Sequence, residues 1–390
     1  MEKIDHDAVM RARVLLLRSG RPSLLEEVGA YRVLAEVSPK AYLPKLVGAL
    51  LLMSYRHRDP QVILALAAEA VEAGRRMEAG APNRAERLCR ALDAHQSALC
   101  ALGRRAEKRA ACEEMAGTGN TGPLAIVLAE EGRFLEAAEL NEQAARNGIP
   151  EHNFWNMVEW AANLEGAGLH DAASAVFREL LDETRREAAD QRTALAILTW
   201  ELVHFSRMRE ATGHEADAAA ARREALSVLE ELATTGDPQG WSCILAWWIT
   251  LFALSGRADE PAASAESPMP PFGTSLHRSR HAWVAFLGTL PELEAEAADL
   301  RRAGRLPELI YIQRRISIRA VLRDNGNSYR FEERFTPCFD EGVALARRLP
   351  DDPARLARAL TDRSMFLVAA RVFERAHADF AEAVALLDVQ

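Results

Sequence analysis

The sequence predicts an all-α chain, a solenoid of antiparallel helix hairpins, on three observations. A hairpin signature recurs, Gly and Pro breaks cut the chain into helix-length intervals, and no segment alternates with the period of a strand. The signature is clearest at Gly132-Arg133-Phe134-Leu135-Glu136-Ala137-Ala138, running on to Ala144-Ala145 and Pro150. Looser copies stand at Gly103, Gly168 and Gly256 and near Arg371. Alanine, leucine, glutamate and arginine dominate, and only 5 of 390 residues are tyrosine. Such side chains lose little rotamer freedom in a helix. Period-two runs rich in valine, isoleucine and threonine are absent, so no sheet is expected.

In chain order the breaks fall at Gly20-Arg21-Pro22, Ser38-Pro39, Asp59-Pro60 and Gly80-Ala81-Pro82, then at 117–122 and Gly148-Ile149-Pro150. They continue at 166–168, Gly236-Asp237-Pro238, Gly304 and 350–353. Gly ends a helix because it tolerates left-handed backbone, and Pro starts one because its missing N–H costs nothing in the first turn. The intervals leave helices of roughly 12 to 20 residues joined by short turns, the geometry of antiparallel neighbours. Ser38-Pro39-Lys40-Ala41-Tyr42-Leu43-Pro44 opens a long helix. The longest apolar run, 243–254, is broken only by Thr250. It is too short to span a bilayer and is expected to be a buried core helix. Residues 256–274 carry Pro261, Pro268, Pro270 and Pro271 among Ala, Ser and Gly. That stretch is not helix and is expected to bury little. The chain therefore divides into an N-terminal helical array over 1–255, a Pro-rich loop or hinge over 256–274 and a C-terminal helical segment over 275–390.

Composition also narrows function. A formal net charge of −9 argues against a general nucleic-acid binder, which needs a basic face to neutralise phosphates. The pairs Arg185-Arg186, Arg222-Arg223 and Arg301-Arg302 lie among glutamates and read as solvated helix faces. Cys89, Cys100, Cys112, Cys243 and Cys338 are scattered and odd in number. That fits reduced thiols and a cytoplasmic location rather than a disulfide framework. The opening Met1-Glu2-Lys3-Ile4-Asp5-His6-Asp7 is no secretory signal, and no membrane contact is expected.

No set of residues with catalytic spacing stands out, so a non-enzymatic protein without cofactor or metal is expected. Gly117-Thr118-Gly119-Asn120-Thr121-Gly122 fits GxGxxG, but helix rather than strand precedes it and no βαβ unit follows. Asp324, Asn325, Ser328 and Glu332 share the offsets of the magnesium-binding motif of the all-helical terpene cyclases. Asn325 replaces the expected acid and the aspartate-rich partner motif is missing. His277 and His281 are spaced to share a helix face, without a third zinc ligand. His57-Arg58-Asp59 reads as a helix end before Pro60. All seven tryptophans lie between Trp155 and Trp283.

The repeated hairpins resemble the tetratricopeptide repeat (TPR) family, whose repeat is about 34 residues of two helices with small or apolar positions at fixed offsets. With Gly132 as the turn, Leu124, Ala125 and Leu128 fill the first helix and Phe134, Ala137 and Ala144 the second. The next copy has Met157, Trp160, Ala161 and Leu164, then Gly168, Ala173, Phe177 and Leu180. A third has Leu245, Trp248, Ile249 and Phe252 before Gly256, and the last runs from Leu360 to Ala383. Lys108 stands where a small residue belongs and Arg363 where an apolar one does. Gly103, Gly132, Gly168 and Gly213 are 29, 36 and 45 residues apart, like the degenerate long-period arrays of high-GC bacteria. Such arrays often serve as sensor arms of nucleotide-binding switch proteins.

The resemblance implies a right-handed superhelix of about eight to ten hairpins that binds a protein or peptide on its concave face. It puts Trp160 and Trp248 in the core and Trp155 and Trp247 on or near the groove. The positions where some TPR grooves clamp a carboxylate hold Trp155, Val158, Ala162 and Glu165, and in the last repeat Arg358, Thr361, Met365 and Val368. The Asn/Lys clamp pattern is not met, so chaperone-tail binding is not expected. The candidate partner-binding residues are Trp155, Glu165, Trp247, Thr250, Arg358 and Thr361. The rival readings are a magnesium-dependent all-helical lyase built on 324–332 and the TPR sensor of a peptide-responsive regulator.

Overall fold

Seven turns of the chain close in the same way, and they carry most of the hairpins. At Gly103, Gly119, Gly132, Gly168, Gly213, Gly304 and Arg371 the backbone is left-handed. In each case that residue's N–H bonds the carbonyl three residues back, and the next N–H bonds the carbonyl five residues back. The pair of bonds satisfies the carbonyls a helix end leaves open. Five of the seven accepting carbonyls in the longer bond belong to leucines: Leu99, Leu128, Leu164, Leu300 and Leu367. Gly256 does not belong to this set. Its φ is −97° and it leads into a 3-10 turn over Arg257–Asp259, so the hairpin copy expected there is not formed.

The computed structural model describes residues 5–18, 20–147, 153–236, 244–278, 280–324 and 331–388. The expected breaks at 148–150 and at Asp237-Pro238, together with Trp241 and Cys243, lie outside them. Among the described residues there are nineteen α-helices and no strand, as the composition predicts. None of these helices is long and apolar enough to cross a membrane. The chain forms two compact units, Met1–Val127 and Leu128–Gln390.

The first unit holds α1 (His6–Leu17), α2 (Leu24–Val37), α3 (Pro39–Ser54), α4 (Pro60–Arg75), α5 (Arg84–Ala101) and α6 (Arg105–Gly117). Each packs on the next. The starts are written in the sequence. Asp5 accepts from the N–H groups of Asp7 and Ala8, Ser23 and Glu26 form a capping box, and Asp59 accepts from Gln61 before Pro60. His57-Arg58-Asp59 is thus a helix-start segment. The core is aliphatic, with Val47, Leu50, Ala67, Ala70, Ala91, Leu92 and Leu99 sealed from solvent. Gly74 lets α5 approach closely: a Cβ there would lie 3.2 Å from Leu88 Cδ1. The GxGxxG run is the turn after α6, with Gly119 as its left-handed residue. Residues 122–130 form α7 (Gly122–Glu130), and the strand a dinucleotide site requires does not precede it.

The second unit begins with α8 (Phe134–Asn147), α9 (Asn153–Gly166), α10 (His170–Asp190), α11 (Leu195–Ala211) and α12 (Glu215–Thr235), packed successively. It ends with α14 (Arg280–Gly288), α15 (Leu290–Arg302), α16 (Leu306–Asp324), α17 (Phe331–Ala346), α18 (Pro353–Ala369) and α19 (Phe373–Asp388). Here α12 also packs on α19, and α11 on α18, so the unit is not a one-dimensional stack in which repeats touch only their sequence neighbours. Between the runs lies α13 (Ile244–Leu254), the expected core helix, touching α11, α16 and α18. Its Trp248 is 1 % exposed and packs among Phe252, Phe331, Phe339 and Phe366.

The Pro-rich stretch, expected to bury little, is pinned along its length. Glu260 pairs with Arg315 and Arg319, Met269 N–H donates to the Glu130 carbonyl, and Phe272 sits edge-on to Trp283 and Phe286. Gly273 abuts Ala162, where a Cβ would lie at 2.5 Å. Proline excludes helix but not burial, and neighbouring helices supply the partners that sequence cannot show.

Candidate functional site

A cavity of about 500 Å³ opens within the second unit. Helical spacing explains its walls. On α11, His204, Arg207, Met208 and Ala211 fall at offsets of three, four and seven and so share one face. On α18, Ala354, Ala357, Arg358 and Thr361 repeat that spacing. Arg222 of α12, Phe380 and Leu387 of α19, Leu254 at the end of α13 and Arg257 beyond it complete the lining. The indole Nε1 of Trp200 donates to the Met365 carbonyl at 3.1 Å, tying α11 to α18 beside the cavity.

Five arginines line it, against three carboxylates: Glu165, Glu210 and Asp352. Arg257 donates to Glu165 at 2.6 Å and to the Ala162 carbonyl at 2.5 Å. Arg207 donates to Asp362 at 2.6 Å, and Arg314 grips the other oxygen of that carboxylate at 2.7 Å. Burial alone would raise the Asp362 pKa, but the two guanidiniums overcome it and hold it at about 2. Arg355 pairs with Asp352, which caps α18 by accepting from the Arg355 N–H. Arg222 is buried, and its Nε and Nη1 make no hydrogen bond. Its nearest carboxylates, Glu210 and Asp388, stand at 3.6 and 3.9 Å. Burial, then the charges of Arg207 and Arg257, depress His204 to about 3, so its imidazole is neutral at pH 7.

Three of the sequence-predicted residues meet in this cavity. Glu165, Arg358 and Thr361 all line it, Arg358 exposed and Thr361 buried with its hydroxyl on the Ala357 carbonyl. The other three stand elsewhere. Trp247 is 5 % exposed, inside the main core, and Trp155 is half-buried edge-on to it at 4.5 Å between ring centroids. Thr250 is buried and donates to the Ala246 carbonyl at 2.8 Å. Of the two tryptophans placed in the core, Trp248 is sealed and Trp160 half-buried beneath Arg146.

Sequence reasoning missed Arg207, Arg222, Arg257 and His204. Arg222 corrects the reading of the arginine pairs as solvated: Arg223 is exposed, Arg222 is not. The signal was present, because Arg222 continues the apolar row Ala218, Ala225 and Leu229. Arg363, out of place by the repeat pattern, is paired with Asp379 and Asp340.

Of the 324–332 motif, 325–330 lie outside the described residues, and Asp324 pairs with Arg334. His277 falls in a 3-10 turn and His281 in α14, so no single helix carries both. Among the described residues no cluster of three or more His, Cys, Asp or Glu is placed to hold a metal ion. No family model matches the chain, and no curated protein matches it.

Proposed function

We propose that this chain is a non-catalytic recognition protein of the cytoplasm, built of TPR-like hairpins, whose second unit receives a peptide segment of a partner protein. The observation that carries the reading is the cavity. Side chains from α9, α11, α12, α13, α18 and α19 converge on it, and its volume of about 500 Å³ suits a short peptide stretch. Its lining combines aliphatic surface with many polar groups, most of them held in place by internal pairing, so a bound segment is gripped and oriented together. The walls are helix faces already held by packing, so the ordering cost on the receptor side is small. Glu165, Arg358 and Thr361 are the predicted groove residues this reading retains.

The test is selection of the full chain against a random-peptide display library. One or more related sequences should be enriched. Ala354→Trp should abolish their binding without lowering the melting temperature, because Ala354 is exposed at the cavity wall. A library that yields no binder, or binders indifferent to Ala354→Trp, overturns the reading.

A further inference from the structure

The charge distribution of the cavity carries a statement about its ligand, resting on the peptide-recognition reading above. We infer that the segment it receives is acidic, with carboxylates seated on Arg222 and Arg358 and apolar side chains against Ala211, Ala354 and Leu387.

Arg222 is the first support. Its side chain is 7 % exposed, yet neither Nε nor Nη1 is hydrogen-bonded. Glu210 and Asp388 lie beyond the 2.7–3.2 Å at which an N–H···O bond forms. A buried guanidinium in this state lacks the hydrogen bonds that normally offset its desolvation. An incoming carboxylate supplies them and competes only with the long contacts to Glu210 and Asp388, both of which are exposed.

Arg358 is the second. It lies on α18, is exposed, and has no ion-pair partner among the described residues. The remaining cavity arginines are committed to internal carboxylates: Arg207 to Asp362, Arg257 to Glu165, Arg355 to Asp352. The acids of the lining are therefore largely spent, and the two arginines left short of partners stand on different helices. His204 adds no charge of its own, so the excess is guanidinium, which favours planar carboxylates. The apolar wall formed by Ala211, Ala258, Ala354 and Leu387 has no use for a bare inorganic anion but accommodates the alternate side chains of an amphipathic acidic peptide.

The experiment is fluorescence anisotropy of the full chain with three labelled, C-terminally amidated peptides of alternating Glu/Leu, Gln/Leu and Lys/Leu. The Glu/Leu peptide should bind at least about tenfold more tightly than the Gln/Leu peptide at low salt, the advantage shrinking as salt rises. Arg358→Gln should lower its affinity about tenfold with no change in melting temperature, and Arg222→Met should do the same where it folds. Equal binding of the Gln/Leu peptide, indifference to Arg358→Gln, or displacement by inorganic phosphate at peptide concentrations each overturns the acidic assignment while leaving peptide recognition standing. Failure of all three peptides together with an empty library selection removes the reading on which it rests.

Discussion

The two units use the same hairpins and fill them differently. In the first, helix pairs close on Leu, Val, Ala and Met, and the core cluster contains no buried aromatic ring. Its buried polar residues among those described are Ser54 and Lys108. In the second, Trp200, Trp247, Trp248 and Trp283 are buried with a cluster of phenylalanines, and Glu159, Glu201, Arg209, Arg222, Arg319, Asp362 and Asp379 are buried with them. Small aliphatic side chains suffice where each helix meets helices one or two places along the chain, since they let backbones approach and bring few polar groups to satisfy. Where α13 is inserted and α12 meets α19, wider gaps are filled by rings and by paired charges. Buried polar groups demand partners, and two that lack hydrogen bonds, His204 Nδ1 and the Arg222 guanidinium, line the cavity.

The largest expected contrast is between ion pairs. The Glu260 side chain is 2 % exposed and bridges Arg315 and Arg319, while Arg319 also lies 3.7 Å from the Phe286 ring centre. Burial would raise the Glu260 pKa, but the two guanidiniums hold it below the usual carboxylate range. Glu260→Ala strands a buried charge and should cost about 3–5 kcal/mol. Glu114→Ala, which removes the half-exposed partner of Arg75 in the first unit, should cost under about 1 kcal/mol. Urea denaturation measures both, and equal costs would break the contrast. Tryptophan fluorescence follows the second unit alone, because all seven tryptophans lie within it.

Turn glycines sharpen the comparison at smaller scale. Gly103→Ala in the first unit meets nothing within 4 Å and should cost only the left-handed strain, about 1–2 kcal/mol. A Cβ at Gly132 would lie 2.3 Å from the Ala263 carbonyl oxygen, adding an overpacking penalty of about 1–3 kcal/mol. Thermal unfolding of the two variants should rank them in that order; the reverse order would mean that 256–274 yields freely.

The smallest effect is a pH slope. Glu201 is fully buried, and burial pushes its carboxyl well above the ordinary range, so the folded chain holds that proton to higher pH than the unfolded chain does. The unfolded chain releases that proton above about pH 4.5. Stability from this group is therefore fully present below pH 4.5 and declines as pH rises, by at most about 1.4 kcal/mol per pH unit. Glu201→Gln should flatten melting temperature against pH between 5 and 8 and raise it most at the upper end. A variant whose profile parallels the parent's would place the carboxylate in contact with solvent.

Much of the architecture was legible because it is local. A Gly after a periodic apolar run, or Asp or Ser ahead of one, acts within a few residues, so the turns at Gly103, Gly132, Gly168 and Gly213 could be read directly. Glu165, Arg358 and Thr361 were reached from positions on helix faces. The cavity that gathers them was not, since Glu165 and Arg358 are brought together by chain segments nearly two hundred residues apart. Gly256 misled because a glycine marks an end without dictating which turn follows it. Trp247 misled because aromatic residues near a helix face serve a groove and a core equally well.

By itself, the sequence determined that the chain is helical, where most helices begin and end, and that 244–254 is a core helix, because capping, periodicity and backbone freedom are short-range properties. Only the tertiary structure decided that α12 meets α19, that the Pro-rich stretch is pinned by Arg315 and Arg319, and that Arg222 faces inward short of a partner. Those outcomes depend on which charges and rings meet across long stretches of chain, and a pairing of that kind leaves no periodic trace in the residues that make it.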